Sequence, residues 1–366
     1  MMLTKLARKI LAGVTPYVPG KPIEEVQREL GLASAMKLAS NENPLGPSPK
    51  ALEAVRRALP SLHRYPDGSC FYLVRKLAQH VGLTPEQLII GNGSDEIITL
   101  AVRAFVEPGE EVVIAHPTFL VYRIAAQLAE AKIRTVPMKD FRYDLAGMRR
   151  AATPRTKLMF IANPDNPTGS YVTRAEVEEL LSGLPPGVIL FFDEAYAEWV
   201  DAPDYPQTLP LIGSRPVIVA RTFSKAYGLA GLRVGYGMAS PELIDAMRRV
   251  REPFNVNSLA QVAAAAALDD ADHLEATRRL LREEKRKLVR ALEEMKFRYV
   301  PSVTNFILFQ AGPKAAELAQ RLLKKGIIVR HMQAWDLPEY IRVTVGLPEE
   351  NDAFIQTLKQ LGGEIS

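Results

Sequence analysis

The chain has 366 residues, 46 Lys and Arg against 42 Asp and Glu, and 47% hydrophobic residues. That is enough apolar material for a large core and two domains, while a net charge of +4, interspersed along the chain, is too small to argue for a nucleic-acid partner. The single cysteine, Cys70, excludes an internal disulfide framework and a cysteine-rich metal site, and no stretch approaches the ~18 uninterrupted apolar residues of a membrane span.

The expectation is therefore a cytoplasmic globular protein without metal, nucleic acid or membrane among its partners. Residues 1–14 carry Lys5, Arg8 and Lys9 between apolar positions and predict an amphipathic first helix rather than a signal peptide. A loop over 16–22 leads to a short helix, and residues 39–49 are too rich in Pro, Asn and Gly for regular structure. A second loop over 63–68 introduces a helix whose apolar face includes Leu73 and Leu77.

From residue 88 the pattern alternates. Apolar runs predict strands over 88–90, 111–115, 132–136, 157–162, 188–192 and 217–220, with helices over 97–105, 120–130 and 173–181. Such alternation predicts an α/β fold, a mostly parallel central sheet with helices on both faces. One helical region over 259–295 then leads to a smaller α+β unit with strands over 307–309, 327–329 and 341–345 and helices over 314–323 and 351–361. The expected division is a large domain over 31–258 and a small domain made of 1–30 and 259–366.

Sites in such sheets lie beyond the carboxyl ends of the strands, and four loops there carry chemistry. After the first strand, Gly91-Asn92-Gly93-Ser94-Asp95-Glu96 opens a helix; Ser94 and Asp95 suit either a helix cap or a phosphate at the helix N-terminus. Asn163-Pro164-Asp165-Asn166-Pro167-Thr168-Gly169 is more specified than a turn needs, and Asn166 is either a turn residue or a donor to an anionic ring oxygen. Asp193 ends an apolar strand, where an unpaired carboxylate is costly, so it calls for a cation such as a protonated pyridine nitrogen. Tyr196 is a packing residue or a donor to the phenolic oxygen of the same ring. Lys225 follows the last strand; burial and a neighbouring cation would lower its pKa and suit it to imine formation with an aldehyde. Thr222, Ser224 and Arg233 beside it match a phosphate, since hydroxyls and a planar guanidinium fork are anion donors. A loop lysine and a surface arginine are the plainer reading of that stretch.

These motifs, together with Tyr17-Val18-Pro19-Gly20-Lys21, Ala39-Ser40-Asn41-Glu42-Asn43-Pro44 and Ile327-Ile328-Val329-Arg330, resemble the fold-type I, pyridoxal-phosphate-dependent aminotransferases, and within them the histidinol-phosphate aminotransferases. The resemblance runs from residue 37 to residue 350. It implies pyridoxal 5'-phosphate as cofactor, held covalently by Lys225, which then shuttles a proton as a free amine. It implies that Asp193 keeps the pyridine nitrogen protonated, that Asn166 and Tyr196 meet the phenolic oxygen, and that Ser94, Asp95, Thr222, Ser224 and Arg233 surround the phosphate. Phe119 matches the aromatic residue stacked on the ring, and Tyr65 one that reaches the cofactor phosphate of a neighbouring subunit, which implies a homodimer with shared sites. Arg342 resembles the arginine that binds the substrate's acidic group and Arg330 a second phosphate contact, while Tyr17 and Asn43 would line the substrate pocket. The continuation Arg330-His331-Met332 departs from the family's usual one.

The implied partners are a small-molecule amino donor and a 2-oxo acid, and the implied reaction is transamination from histidinol phosphate to 2-oxoglutarate, giving imidazole acetol phosphate and glutamate in histidine biosynthesis. An aromatic amino-acid aminotransferase and a threonine-phosphate decarboxylase are alternatives on the same scaffold. A regulatory binding protein with a degenerate fold is another, against which Lys225, Asp193 and Arg233 stand together.

Overall fold

The computed structural model describes residues 6–365. The first half of the chain runs α1 (Ile23–Leu30), β1 (Met36–Lys37), α2 (Pro49–Ala58), α3 (Phe71–Val81), β2 (Leu88–Gly91), α4 (Ser94–Phe105), β3 (Glu111–His116), α5 (Leu120–Leu128), β4 (Lys132–Pro137), α6 (Leu145–Ala151), β5 (Thr156–Ala162) and α7 (Arg174–Gly183). The second runs β6 (Ile189–Asp193), β7 (Val217–Thr222), β8 (Gly235–Met238), α8 (Pro241–Arg249), α9 (Ser258–Ala267), α10 (Ala271–Glu294), β9 (Arg298–Val300), β10 (Phe306–Gln310), α11 (Ala315–Lys324), β11 (Ile327–Ile328), β12 (Arg330–His331), β13 (Tyr340–Thr344) and α12 (Pro348–Ile365).

The uninterrupted apolar runs become the centre of a seven-stranded sheet of order β2-β8-β7-β6-β5-β3-β4. β5 and β6 are buried along nearly their whole length, so both faces of the sheet are covered. All its neighbouring pairs are parallel except those of β8, which is antiparallel to both β2 and β7. The carboxyl ends of β2, β3, β5, β6 and β7 therefore point the same way, and the start of β8 meets the ends of β2 and β7, with Gly235 opposite both Gly91 and Thr222. A Cβ at Gly235 would stand 2.5 Å from the Ser94 nitrogen, so only glycine lets the loop before α4 lie against this strand.

Local chemistry sets the helix ends. Thr173 and Glu176 form a reciprocal capping box on α7, with the Thr173 N–H donating to Glu176 Oε2 at 2.7 Å. Ser48 caps α2, accepting from the Ala51 N–H at 3.1 Å, and Gly31 ends α1 at φ +65°.

A second, antiparallel sheet of order β12-β13-β10-β9 lies in the C-terminal part. The N-terminal segment packs on that part: Val26 of α1 is buried with Ala39 and Ile328, and β1 pairs in parallel with β11. Residues 36–37 are thus tied to the C-terminal strands, although the expected boundary put them with the large domain.

Several elements differ from expectation. The helical region over 259–295 is two helices, broken at Leu268–Asp270 by successive turns after the alanine run. α2 starts at Pro49, which the loop reading had absorbed, because proline at the first helical position costs nothing. β8 carries no strand signal, since two of its four residues are glycine. Of the helix expected over 1–14, residues 1–5 lie outside the described residues, and Lys9–Gly13 form a single 3-10 turn. Among the described residues no helix is long and apolar enough to cross a membrane, and no cluster of His, Cys, Asp and Glu is set to hold a metal ion. Cys70 is free and buried, which pushes its thiol up to about 11.

Candidate active site

A cavity of about 470 Å³ opens beyond the carboxyl ends of the parallel strands, closed on the far side by β12, β13 and the segment around Tyr17. Lys225 stands on its wall, with Nζ donating to the Ser40 carbonyl at 3.2 Å. Burial lowers its pKa to about 8, with the nearby Arg342 and Arg233 adding to the effect, so the amine is a usable nucleophile near neutrality.

Asp193, at the end of β6, is buried and faces the same cavity. Tyr122 Oη donates to its Oδ2 at 2.7 Å and the Ala195 N–H to its Oδ1 at 3.2 Å. Among the described residues it has no cationic partner, and burial pushes its carboxyl up to about 6. Tyr196 accepts from Asn41 Nδ2 at 2.9 Å, which leaves its own hydroxyl proton free to donate. Its ring packs edge-on against Phe306 at 5.3 Å, and burial raises its pKa.

The phosphate-type residues converge where β2, β7 and β8 meet. Arg233 adopts φ +59° and reaches Asp95 at 3.4 Å, and the Thr222 hydroxyl accepts from the Ser224 N–H at 3.1 Å. Gly93 faces this cup at φ +81°, and a Cβ there would fall 2.5 Å from an Arg233 nitrogen. Ser94 opens α4, so its N-terminal dipole points at the same place. Phe119 lines the cavity edge-on to Tyr122.

Two arginines face the cavity from the far side. Arg342, 5% exposed, donates through Nη1 to Asn166 Oδ1 and through Nη2 to the Ala39 carbonyl at 2.8 Å, while its Nε has no partner. Arg330 donates to the Val18 carbonyl at 2.6 Å and lies over the Trp335 ring. The register of β12 and β13 sets Arg330 directly opposite Arg342, and neither has a carboxylate partner among the described residues. Like charges placed opposite one another repel, which leaves a site for a multiply charged anion.

Of the residues singled out from sequence, all but Tyr65 and Asn43 lie on the cavity wall. Tyr65 is 84% exposed and stacks on Phe254 at 4.9 Å, away from the cavity of its own chain. Asn43, expected in the substrate pocket, is instead buried in a loop, donating to the Ala226 carbonyl and accepting from the Leu45 N–H. Asn41, two residues earlier, lines the cavity in its stead. Tyr122 also escaped notice, although it lies in the first turn of α5, three residues after Phe119 at that helix's N-cap. Lys37 and Glu42 form an ion pair at 2.8 Å on the cavity wall. His331 and Met332 stand off the cavity, His331 bonding the Pro338 carbonyl and Met332 packing near Trp335.

A model of the class I and II aminotransferase family matches residues 33–358. The chain belongs to that family. The aminotransferase is 48% identical over 356 residues to the histidinol-phosphate aminotransferase of Moorella thermoacetica, covering 97% of this chain and 92% of that protein. It is 44% identical over 365 residues to the histidinol-phosphate aminotransferase of Symbiobacterium thermophilum, covering 98% and 99% of the two. The crystal structure of histidinol-phosphate aminotransferase from Sinorhizobium meliloti in complex with pyridoxal-5'-phosphate superposes with a TM-score of 0.90 at 31% identity, covering 97% of each chain.

The aminotransferase's own residues fit that cofactor. Asp193 is a buried carboxylate short of a cation, as a protonated ring nitrogen requires. Lys225 is an amine of lowered pKa, as an aldehyde requires. The cup at Gly93 and Arg233 offers hydroxyls, N–H groups and a guanidinium, as a phosphate requires.

Proposed function

We propose that the chain transfers the amino group of histidinol phosphate to 2-oxoglutarate with pyridoxal 5'-phosphate as cofactor, yielding imidazole acetol phosphate and glutamate. The observation that carries the substrate is the pair of unpaired arginines, Arg330 and Arg342, opposed across β12 and β13. A single carboxylate needs one guanidinium, whereas a phosphate dianion engages two. Bound pyridoxal phosphate supplies an electron-poor ring able to accept the electron pair freed when the substrate carbon loses its proton.

The protein's part is holding and proton transfer. Arg233, Thr222, Ser224 and Ser94 anchor the cofactor phosphate, and Asp193 carries the negative charge that keeps the ring nitrogen protonated. Phe119 covers the ring face, and Tyr196 and the Asn166 amide donate at the ring edge, the latter because its oxygen is already occupied by Arg342. Lys225 Nζ takes the proton from the substrate carbon and returns it on the other side of the exchange. Arg330 and Arg342, with Tyr17 beside them, fix the distal phosphate.

Single-turnover spectroscopy with one substrate at a time tests this reading. Histidinol phosphate should convert the cofactor band faster than phenylalanine, tyrosine or threonine phosphate. Arg330→Ala should slow histidinol phosphate by roughly 10- to 100-fold, the loss of one charge-assisted bond pair, with a much smaller effect on phenylalanine. Equal losses would remove the phosphate role of Arg330, and faster conversion of phenylalanine by the native enzyme would make it an aromatic aminotransferase.

A homodimer belongs to the same reading. Tyr65 is 84% exposed and stacks on a half-exposed Phe254, and Leu62 and Tyr72, close to it in the chain, are 54% and 82% exposed, apolar surface that a second copy would cover. Tyr65 would then reach the partner's cofactor phosphate. Sedimentation at micromolar concentration should give a dimer, and a monomer with full activity would remove the shared site. A large domain over 31–258, apart from the strand at 36–37 that pairs with β11, a small one from 1–30 and 259–366, and a cytoplasmic location suited to a biosynthetic step complete the proposal.

A further inference from the structure

Asp165 is 0% exposed, and among the described residues it has no cationic partner. It is satisfied by hydrogen-bond donors from three parts of the chain. Oδ1 accepts from Thr118 Oγ1 at 2.7 Å, and Tyr143 Oη, 3.3 Å from Oδ1 and 2.7 Å from Thr118 Oγ1, shares its one proton between the two. Oδ2 accepts from the Thr168 N–H at 3.1 Å and from Thr168 Oγ1 at 2.9 Å. The bonds to Thr168 are what any aspartate in a turn makes. Those to Thr118 and Tyr143 are not local, since these residues lie 47 and 22 positions away.

The neighbours give these bonds a purpose. Thr118 immediately precedes Phe119, the aromatic wall of the cavity, and Asp165 immediately precedes Asn166, the amide at its edge. Tyr143 closes the link by accepting from the Ala162 N–H at 3.1 Å, at the end of β5. A single carboxylate therefore ties the turn after β3 to the turn after β5. The tie continues through Asn166 to Arg342, so the ring wall, the edge amide and the substrate arginine form one connected frame. An apolar residue would pack here without the penalty of a buried charge. Burial does push the Asp165 carboxyl up to about 6, a cost that simple packing would not incur.

We propose that Asp165 is a positioning residue for the cofactor: by joining the Thr118–Phe119 turn to its own, it fixes the Phe119 ring and the Asn166 amide at the separation that grips a planar ring on its face and edge together. The inference rests on the reading of the cavity as a pyridoxal-phosphate site. Asp165→Asn keeps the shape but removes the charge and half of the acceptor capacity. With its oxygen kept on the Thr168 N–H, the amide end becomes a donor toward Thr118 and Tyr143, whose hydroxyls must turn round to accept it, so the charge-assisted bonds of the tie are lost. Thr118→Val removes one donor and leaves the carboxylate in place, so it serves where the asparagine variant folds poorly.

The test measures cofactor affinity and the circular dichroism that the asymmetric pocket induces in the cofactor's visible band, with turnover as a secondary reading. In Asp165→Asn the induced signal per bound cofactor should fall by about half, and the dissociation constant should rise roughly tenfold, the size set by hydrogen bonds to a charged group. Thr118→Val should move both in the same direction by a smaller factor. Both variants keeping native dichroism and affinity while only their melting temperature drops would overturn the positioning role. A wild-type chain that shows no cofactor band at all would instead remove the cofactor reading on which the proposal stands.

Discussion

Lys225→Ala will reduce kcat by at least ~10⁴-fold, the upper range for removing a positioned proton-transfer group that is also the covalent anchor. The loss has two origins that separate experimentally. Borohydride should fix the cofactor permanently to the native chain at the peptide carrying Lys225, and nothing should be fixed to the variant. Externally added amines should restore part of the turnover, because they replace the proton carrier without replacing the anchor. The ionisation of the residue gives an independent check on the cofactor-free protein. Its pKa in the folded chain, about 8, lies below the ordinary 10.5, so folding disfavours the ammonium and the neutral amine appears as pH rises through 8. Acylation of Lys225 should therefore show a midpoint near 8, while exposed lysines follow the ordinary value. A midpoint at the ordinary value would remove the burial argument, whatever the variant's activity.

The parts of this site that were legible in sequence are those lying just past a strand. Ser94, Asn166, Asp193 and Lys225 each follow an apolar run, and parallel strands bring their ends to one edge whatever the loop lengths between them. Contacts between units were not legible in this way. Asn41 reaches Tyr196 across 155 positions and accepts from Thr344 across 303, pairings that no local pattern announces. Asn41 rather than Asn43 faces the cavity, in an irregular loop where Asn41 adopts a positive φ of 57°. The opposition of Arg330 and Arg342 depends on the register of two short strands, and a slip by one residue would separate them.

The same limit applies to the fold. The parallel core was readable because continuous Val, Ile, Leu and Phe runs have few other destinations. β8 was not, since Gly235 lets the loop after β2 approach and Gly237 makes room for Ile97 of α4, neither of which favours a strand. The break between α9 and α10 was hidden by an alanine run of high helix propensity on one side and a charged amphipathic helix on the other.

Asp193→Asn should show that the catalytic carboxylate is held at the expense of stability. In the cofactor-free chain Asp193 has only the Tyr122 hydroxyl and the Ala195 N–H as partners, and burial raises its pKa from 3.8 to about 6. The folded state then binds the proton more tightly than the unfolded state does, so ionisation above pH 6 works against folding. At about 1.36 kcal/mol per pH unit the penalty is ~3 kcal/mol. It is fully present above about pH 6 and fades as the pH falls toward about 4, below which the carboxyl is neutral in both states. Asparagine is of the same shape, can accept from Ala195 and can donate to a Tyr122 hydroxyl that has turned round, which leaves the freed hydroxyl proton and the second amide hydrogen to the cavity that both residues line. The cofactor-free variant should accordingly be more stable than the native chain by up to ~3 kcal/mol at about pH 8, with the difference vanishing near about pH 4. With cofactor the order reverses in function: asparagine cannot supply the charge that holds the ring nitrogen protonated, and kcat should fall by roughly 10³-fold, about 4 kcal/mol of barrier. Denaturant melts of the cofactor-free proteins across that pH range give the first half and steady-state kinetics the second. An Asp193→Asn chain no more stable than the native one at the upper end of that range would mean that Asp193 is already paired or solvated, and the case for a cationic ring beside it would lose its main structural support.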